Sequence, residues 1–303
     1  MDLYGTLKKH CHGRVLQNEP LSSHTSFRIG GPADCFLWAT DTQDIEIALD
    51  AAAREENAFM IVGNGTNLLV NDEGIRGVVV CLGTGFHSLE QDETLVRSGA
   101  AVHLSELLDY CAEHDLGGLE FAAGIPGTVG GALYTNAKTK TGWVRDPLAD
   151  VTAMDKNKQI QTIDAASFQH DGTSLIDGCI ITEASFQLTK AAEEDIRREI
   201  ERYMSRRRET QPIHEPSAGC IFANPEDQPA GLLIDHCGCK GMRVGGAVVS
   251  DKHANFIINT GGARATDVLE LIEHVRERVV TEIGITLSLE IHVVDPMGRF
   301  TKQ

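Results

Sequence analysis

The sequence has little positive charge and no long hydrophobic run. Its 27 lysines and arginines are outnumbered by 44 aspartates and glutamates, which leaves a formal net charge of −17. This balance argues against a general affinity for nucleic acid or for anionic membrane surfaces. No apolar run approaches the roughly 20 residues that span a bilayer, and the N-terminal segment lacks the apolar centre of a signal peptide. We therefore expect a cytoplasmic protein without a membrane or nucleic-acid partner.

The chain also lacks any regular cysteine spacing. Its eight cysteines are scattered, as is typical of reduced thiols in the cytosol. Cys237 and Cys239 have too few companions to form a tetrahedral zinc site, so we interpret them as small buried side chains. We predict no metal site.

Two common nucleotide-binding patterns are missing as well. The chain contains neither the GxGxxG pattern of dinucleotide-binding folds nor the GxxxxGK[ST] pattern of P-loop enzymes. Ordinary nicotinamide dehydrogenases and kinases are therefore disfavoured.

Glycine, by contrast, is concentrated in two stretches. Residues 117–137 read GGLEFAAGIPGTVGGALYTNA, and residues 62–69 read VGNGTNLL directly after the apolar run Phe59–Val62. Glycine lets the backbone turn tightly and lie against a flat or anionic ligand. Two such loops in one chain predict one long nucleotide ligand.

Helical and strand periodicities are mixed along the chain, which predicts an α+β protein in several lobes. Helices are expected over residues 42–57 and 265–283, and a final strand over Leu287–Val294. We expect these boundaries: residues 1–84 as a first lobe, 85–190 as a second, 191–215 as a connector helix and 216–303 as a C-terminal domain.

The connector helix has one apolar stripe, formed by Ile196, Ile200, Tyr203 and Met204. Its C-terminal end contains three consecutive arginines, residues 206–208. They are either a solvated basic end that suits the helix dipole or a local cationic patch in an acidic chain. Both interpretations remain open at this point.

Four blocks now appear in order: TSFRIGGPAD, VGNGTNLLVNDEGIRGVVV, GLEFAAGIPGTVGGALYTNA and SAGCIFANP, followed by KGMRVGGAVVSDKHANFIINTGGARATDVLELI. With these blocks the chain resembles the UDP-N-acetylenolpyruvoylglucosamine reductases of bacterial peptidoglycan synthesis, in their shorter form. The resemblance extends from Thr25 to Val294. It implies the vanillyl-alcohol-oxidase/PCMH-type FAD-binding fold in two lobes, plus a C-terminal α+β substrate domain.

The resemblance implies FAD as cofactor and NADPH as hydride donor. The implied cofactor-binding residues are Gly63, Asn64, Gly65, Thr66, Asn67, Leu68, Gly124, Ile125, Pro126, Gly127, Thr128, Val129, Gly130, Gly131, Asn136 and Ile180.

The C-terminal domain is implied to bind a nucleotide-sugar substrate through Asn224, Arg206 and Lys252. His253 belongs to the same block, but we expect it to be a packed histidine satisfied by backbone.

In the implied reaction, NADPH reduces FAD, a hydride passes to C3 of an enolpyruvyl group, and the resulting enolate takes a proton at C2. Cys220 stands where the family has its proton-donating serine. A thiol, whose ordinary pKa is about 8.5, is a competent acid for this step. Glu290 matches the late glutamate that stabilises the enolate. The implied catalytic residues are therefore Cys220 and Glu290.

The chain departs from the family at the catalytic arginine. There is no arginine between Arg145 and Arg197, and His170 or Asp171 would occupy its place. Arg145 and a protonated His170 are the candidate replacements. Three hypotheses follow: a working reductase with a rearranged cation, an FAD-dependent paralogue with another substrate, and a flavin-holding protein without turnover.

Overall fold

The computed structural model describes residues 2–167, 178–225 and 228–301. The helices in these ranges are α1 (Leu3–His10), α2 (Thr42–Arg54), α3 (Leu104–Glu113), α4 (Val129–Tyr134), α5 (Glu193–Thr210), α6 (Ala230–His236) and α7 (Ala265–Ile283). The strands are β1 (Arg14–Pro20), β2 (Pro32–Ala39), β3 (Ala58–Val62), β4 (Leu68–Val70), β5 (Ile75–Leu82), β6 (Leu89–Asp92), β7 (Leu95–Gly99), β8 (Leu116–Gly117), β9 (Leu148–Met154), β10 (Ile160–Asp164), β11 (Ile180–Gln187), β12 (Thr189–Lys190), β13 (Arg243–Val244), β14 (Ala247–Val249), β15 (Ile257–Asn259), β16 (His292–Val294) and β17 (Phe300–Thr301).

The first sheet has the strand order β1-β2-β5-β3. β1 is antiparallel to β2, whereas β5 runs parallel to both β2 and β3. Helix α2 packs on this sheet because Ile45, Ala48 and Ala52 recur on one helical face and are buried. Its N-cap is Asp41, whose carboxylate accepts the Asp44 N–H at 2.9 Å. The helix predicted over residues 42–57 is confirmed, but it ends earlier than expected, at Arg54.

The second sheet has five antiparallel strands in the order β10-β9-β11-β7-β6. Helices α3 and α4 contribute to the same core. The apolar face of α3 consists of Leu104, Leu107, Leu108 and Cys111, and all four side chains are buried. Helix α4 begins within the second glycine-rich stretch. Because α4 packs in the core of this sheet, the sheet positions that stretch.

The C-terminal region packs α6 and α7 with the three antiparallel strands β13, β14 and β15. Helix α7 confirms the prediction over residues 265–283. Its inward face consists of Val268, Ile272, Val275 and Val279, all buried. Gly284 ends the helix in the left-handed region at φ +73°, a conformation that glycine adopts at little cost.

The last strands return to β4, in the N-terminal part of the described chain. β16 pairs in parallel with β4, with Val293 opposite Leu69, and β17 pairs with β16. The strand predicted over Leu287–Val294 is therefore too long, since the regular strand β16 covers only its last three residues. The reason is a change of partner: the Glu290 N–H donates to Ile221 O, whereas the His292 N–H donates to Asn67 O.

All eight cysteines are free thiols. Within the described residues, no helix is both long enough and apolar enough to cross a membrane.

Candidate functional site

A cavity of about 720 Å³ lies where the two glycine loops meet the C-terminal region. Five stretches of chain contribute most of its wall: residues 59–68, 125–138, 178–181, 218–220 and 290–292. The cavity is thus assembled from segments that are far apart in the sequence.

The first glycine loop follows β3 and leads into β4. All six of its predicted cofactor residues, 63–68, line the cavity. Gly65 has φ +58°, and a Cβ there would lie 2.1 Å from the backbone oxygen of His24. The Gly65 carbonyl accepts the Ser26 N–H at 3.2 Å. The loop is therefore fixed by close backbone packing that only glycine permits.

The second glycine loop lies directly against the first. Thr66 Oγ1 donates to the carbonyl of Pro126 at 2.8 Å, and a Cβ on Gly63 would lie 2.6 Å from Thr128 Oγ1. Residues 125–128, 130 and 131 line the cavity. Val129 points instead into the core, and Gly124 packs against α5. The two loops form one continuous surface, which suits the single long ligand expected from the sequence.

Asn136 carries an unusual acceptor. Its backbone has φ +49°, and its Oδ1 atom is buried with no hydrogen-bond partner in the described structure. Its neighbours Thr135 and Ala137 line the cavity, as does Ile180 across it, although Asn136 itself does not. A buried acceptor without a donor is costly, but this one lies behind the cavity wall and not on it. The two glycine loops fit a flavin nucleotide.

Cys220 and Glu290 both line the cavity, although 70 residues separate them. The Glu290 N–H donates to Ile221 O at 2.9 Å, which fixes the two chain segments side by side. Burial and, second, the charge of Glu290 raise the pKa of the Cys220 thiol to about 11, against the opposing effects of Arg207 and Asn255. The thiol is therefore neutral at physiological pH and can donate a proton.

Asn255 holds the Cys220 segment in place. Its Oδ1 accepts the Phe222 N–H at 2.9 Å, and its Nδ2 donates to Phe222 O at 2.8 Å. The neighbouring His253 accepts the Asn255 N–H at Nδ1, at 3.3 Å, and burial lowers its pKa. The prediction that His253 is packed and satisfied by backbone is confirmed.

Arg207, which the sequence analysis did not select, lines the cavity, whereas Arg206 is exposed and does not. Burial lowers the pKa of the Arg207 guanidinium. A signal for this residue was present, because Arg207 follows Tyr203 by four positions and Met204 by three. Residues with this spacing share a helical face, so Arg207 lies on the same inward face as the apolar stripe.

Asn224 and Lys252 do not line the cavity. Asn224 Oδ1 accepts the Ala230 N–H at 2.9 Å, and Lys252 Nζ donates to the Arg208 carbonyl. The first contact joins Asn224 to the start of α6, and the second joins Lys252 to the end of α5. Substrate contacts from Arg206, Asn224 and Lys252 stay predictions.

The candidate replacements for the missing arginine differ in position. Arg145 does not line the cavity, and its guanidinium carbon lies 4.6 Å from the centroid of the Trp143 ring. His170 and Asp171 lie outside the described residues.

Three aromatic rings at the cavity were also not foreseen. His292 and Phe300 stack with centroids 4.4 Å apart, and Tyr134 lies 6.0 Å from Phe300. All three line the wall, and they come from α4, β16 and β17. No local sequence signal brings these elements together.

Comparison with known proteins first defines the class. A family model described as an FAD binding domain matches residues 33–164, a range that contains both glycine loops. The chain thus has the vanillyl-alcohol-oxidase/PCMH-type FAD-binding fold, with mixed helices and strands. A second model, described as the C-terminal domain of UDP-N-acetylenolpyruvoylglucosamine reductase, matches residues 211–294.

Individual relatives then define the family. UDP-N-acetylenolpyruvoylglucosamine reductase of Desulforamulus reducens is 40% identical over 295 residues, covering 96% of this chain and 97% of the relative. Its counterpart from Moorella thermoacetica is 41% identical, with 96% and 97% coverage. The crystal structure of the Thermus caldophilus enzyme superposes with a TM-score of 0.79 at 35% identity, covering 93% of this chain and 98% of that one. The chain belongs to the UDP-N-acetylenolpyruvoylglucosamine reductase family.

Proposed function

We propose that this protein is the FAD-dependent reductase that converts UDP-N-acetylglucosamine enolpyruvate to UDP-N-acetylmuramate with NADPH, in peptidoglycan synthesis. One observation carries the proposal: Cys220 and Glu290, a proton donor and a carboxylate from distant segments, share a cavity with both glycine loops. The similarity to reductases over nearly the full chain favours this activity over a paralogue with another substrate or a protein without turnover.

Residues 63–68 would hold the FAD pyrophosphate on backbone amides, and residues 124–131 would lie along the flavin. Asn136, whose neighbours Thr135 and Ala137 line the cavity, stays a proposed cofactor residue. Bound there, FAD supplies hydride that originates from NADPH. In this proposal residues 1–84 and 85–190 form the cofactor lobes, residues 191–215 connect them to the rest, and residues 216–303 bind the nucleotide sugar.

Cys220 acts as the general acid in this proposal. Its thiol is neutral at physiological pH and partly exposed to the cavity, so it can give a proton to C2 of the substrate. Glu290 lies on the same wall and helps keep that thiol protonated through its charge. The carboxylate thereby keeps the proton on sulfur until the more basic enolate carbon has formed.

Asn224, Arg206 and Lys252 are proposed contacts for the nucleotide-sugar end of the substrate. They lie off the cavity wall, near the end of α5 and the start of α6. Their positions suit the part of a long ligand that extends beyond the cavity.

An anaerobic two-step titration tests the proposal. Purified protein should be yellow, NADPH should bleach it, and UDP-N-acetylglucosamine enolpyruvate should then restore the colour within the time of normal turnover. Bleaching without restoration would reject this substrate, and absence of bleaching would reject an NADPH-dependent flavoenzyme altogether.

A further inference from the structure

Arg207 differs from most of the other arginines on α5. Arg197, Arg198, Arg202 and Arg208 each form an ion pair with a glutamate or aspartate. No ion pair within the described residues includes Arg207, and its one described side-chain hydrogen bond, to Gln211 Oε1, is long at 3.4 Å. A guanidinium has five N–H donors, so this one retains capacity to bind an anion.

The side chain of Arg207 is held against the second glycine loop. A Cβ on Gly124 would lie 2.6 Å from Arg207 Cδ and 3.3 Å from its Nε. Gly124, at φ +74°, therefore leaves the space through which the arginine reaches the cavity. Arg207 lies where the flavin loop meets the Cys220 segment.

Two charged side chains act on the Cys220 thiol, Glu290 and Arg207, and they have opposite sign. Glu290 lines the wall, and Arg207 is the cation that lowers the Cys220 pKa there. Removing a guanidinium from water without an anionic partner is unfavourable. Binding of a ligand carboxylate next to Arg207 would therefore be favourable.

We propose that Arg207 binds the carboxylate of the enolpyruvyl group and stabilises the enolate that forms from it, in place of the arginine missing between residues 145 and 197. This inference rests on the proposed function. When hydride adds at C3, the electron pair of the C2=C3 bond moves toward C2 and the carboxylate. The Cys220 S–H bond then breaks to give C2 its proton, and solvent reprotonates the thiolate. Arg207 faces the charge that develops between these two events.

The test measures binding without turnover, on FAD-loaded protein and in the absence of NADPH. Calorimetry compares UDP-N-acetylglucosamine enolpyruvate with UDP-N-acetylglucosamine, which lacks the carboxylate. Arg207→Met should weaken binding of the first ligand roughly 10- to 150-fold, the range for a charge-assisted hydrogen bond. It should leave binding of the second ligand unchanged. Arg207→Lys should restore part of the difference, because it keeps the charge without the bidentate geometry.

Arg198→Met is the matched control, since Arg198 is a solvent-exposed arginine of the same helix. It should bind both ligands as the wild type does. Equal loss of both ligands in Arg207→Met would indicate a purely structural role and overturn the inference. If Arg207→Met bound the enolpyruvyl nucleotide as tightly as the wild type does, the inference would be overturned as well. If the wild type itself did not bind this nucleotide, the proposed function would fail first. Should Arg207→Met lose flavin, Arg207→Gln and Arg207→Lys carry the same comparison.

Discussion

The two ends of the cavity differ in the residues that form the wall. At the cofactor end, the wall contains the two glycine-rich loops, residues 63–68, 125–128, 130 and 131. At the other end, three side chains face the cavity, those of Cys220, Glu290 and Arg207, each from a different segment. A backbone surface depends on glycine geometry and tolerates few side chains. A side-chain surface can lose its chemistry through one substitution while the backbone surface stays intact.

Cys220→Ala should have the largest effect, because it impairs the substrate end of the cavity and leaves the cofactor end intact. Removing a general acid typically costs about 100- to 10,000-fold in rate, so product formation should fall by that amount. Flavin content should stay normal, because Cys220 is not part of either glycine loop. The measurement is reoxidation of the NADPH-reduced flavin by the enolpyruvyl nucleotide, with Cys220→Ser as the control that retains a hydroxyl donor. Wild-type reoxidation by Cys220→Ala would remove Cys220 from the mechanism.

Gly65→Ala should damage the backbone end instead. The substitution places a Cβ 2.1 Å from His24 O in a left-handed backbone, and such strain costs about 1–3 kcal/mol. Flavin affinity should fall roughly 5- to 150-fold, as measured from the flavin absorbance of the purified protein. Gly262→Ala is the control, because Gly262 has φ +70° but no heavy atom within 4 Å of the added Cβ. Equal flavin content in the two variants would argue against a packed loop.

The pH dependence should identify Cys220 as the donor. The thiol acts only when protonated, and burial, with the Glu290 charge, raises its pKa to about 11 against the opposing effects of Arg207 and Asn255. Since its neutral form persists below that pH, reoxidation should be limited by this group only above about pH 11, with a decline of about tenfold per pH unit. This alkaline limb should be absent in Cys220→Ser. A Cys220-dependent limb with its midpoint below pH 9 would contradict a buried thiol.

Thr66→Val should have the smallest effect. It removes the hydrogen bond from Thr66 Oγ1 to Pro126 O, which joins the two loops at 2.8 Å. A single hydrogen bond contributes about 0.5–1.5 kcal/mol, so flavin affinity should drop roughly 2- to 12-fold. Thr66→Ser retains the donor and should bind flavin normally. An unchanged affinity in Thr66→Val would show that the loops hold their places independently.

Much of the cofactor end could be predicted from sequence, because its information is local. Residues 62–69 and 117–137 are continuous glycine-rich stretches, and helices such as α3 and α7 follow from their apolar periodicity. The orphan Oδ1 of Asn136 could not be predicted, since it depends on which donors the fold leaves nearby.

The substrate end was less accessible to sequence reasoning. Arg206 was selected from the basic run, but helical geometry places Arg207 on the wall, and only the position of the apolar stripe decides between them. The pairing of β16 with β4 joins residues more than 200 positions apart, for which no local pattern exists. Local periodicity predicts elements, whereas the partner of an element is set by the whole fold.

The pairing of β4 with β16 also has a consequence for biosynthesis. β4 follows the first glycine loop directly, and its one described strand partner consists of residues 292–294. During translation this edge stays uncovered until residues 292–294 have been synthesised, because the pairing requires both strands. A chain interrupted before residue 292 therefore leaves β4 without this partner strand, directly after the first glycine loop.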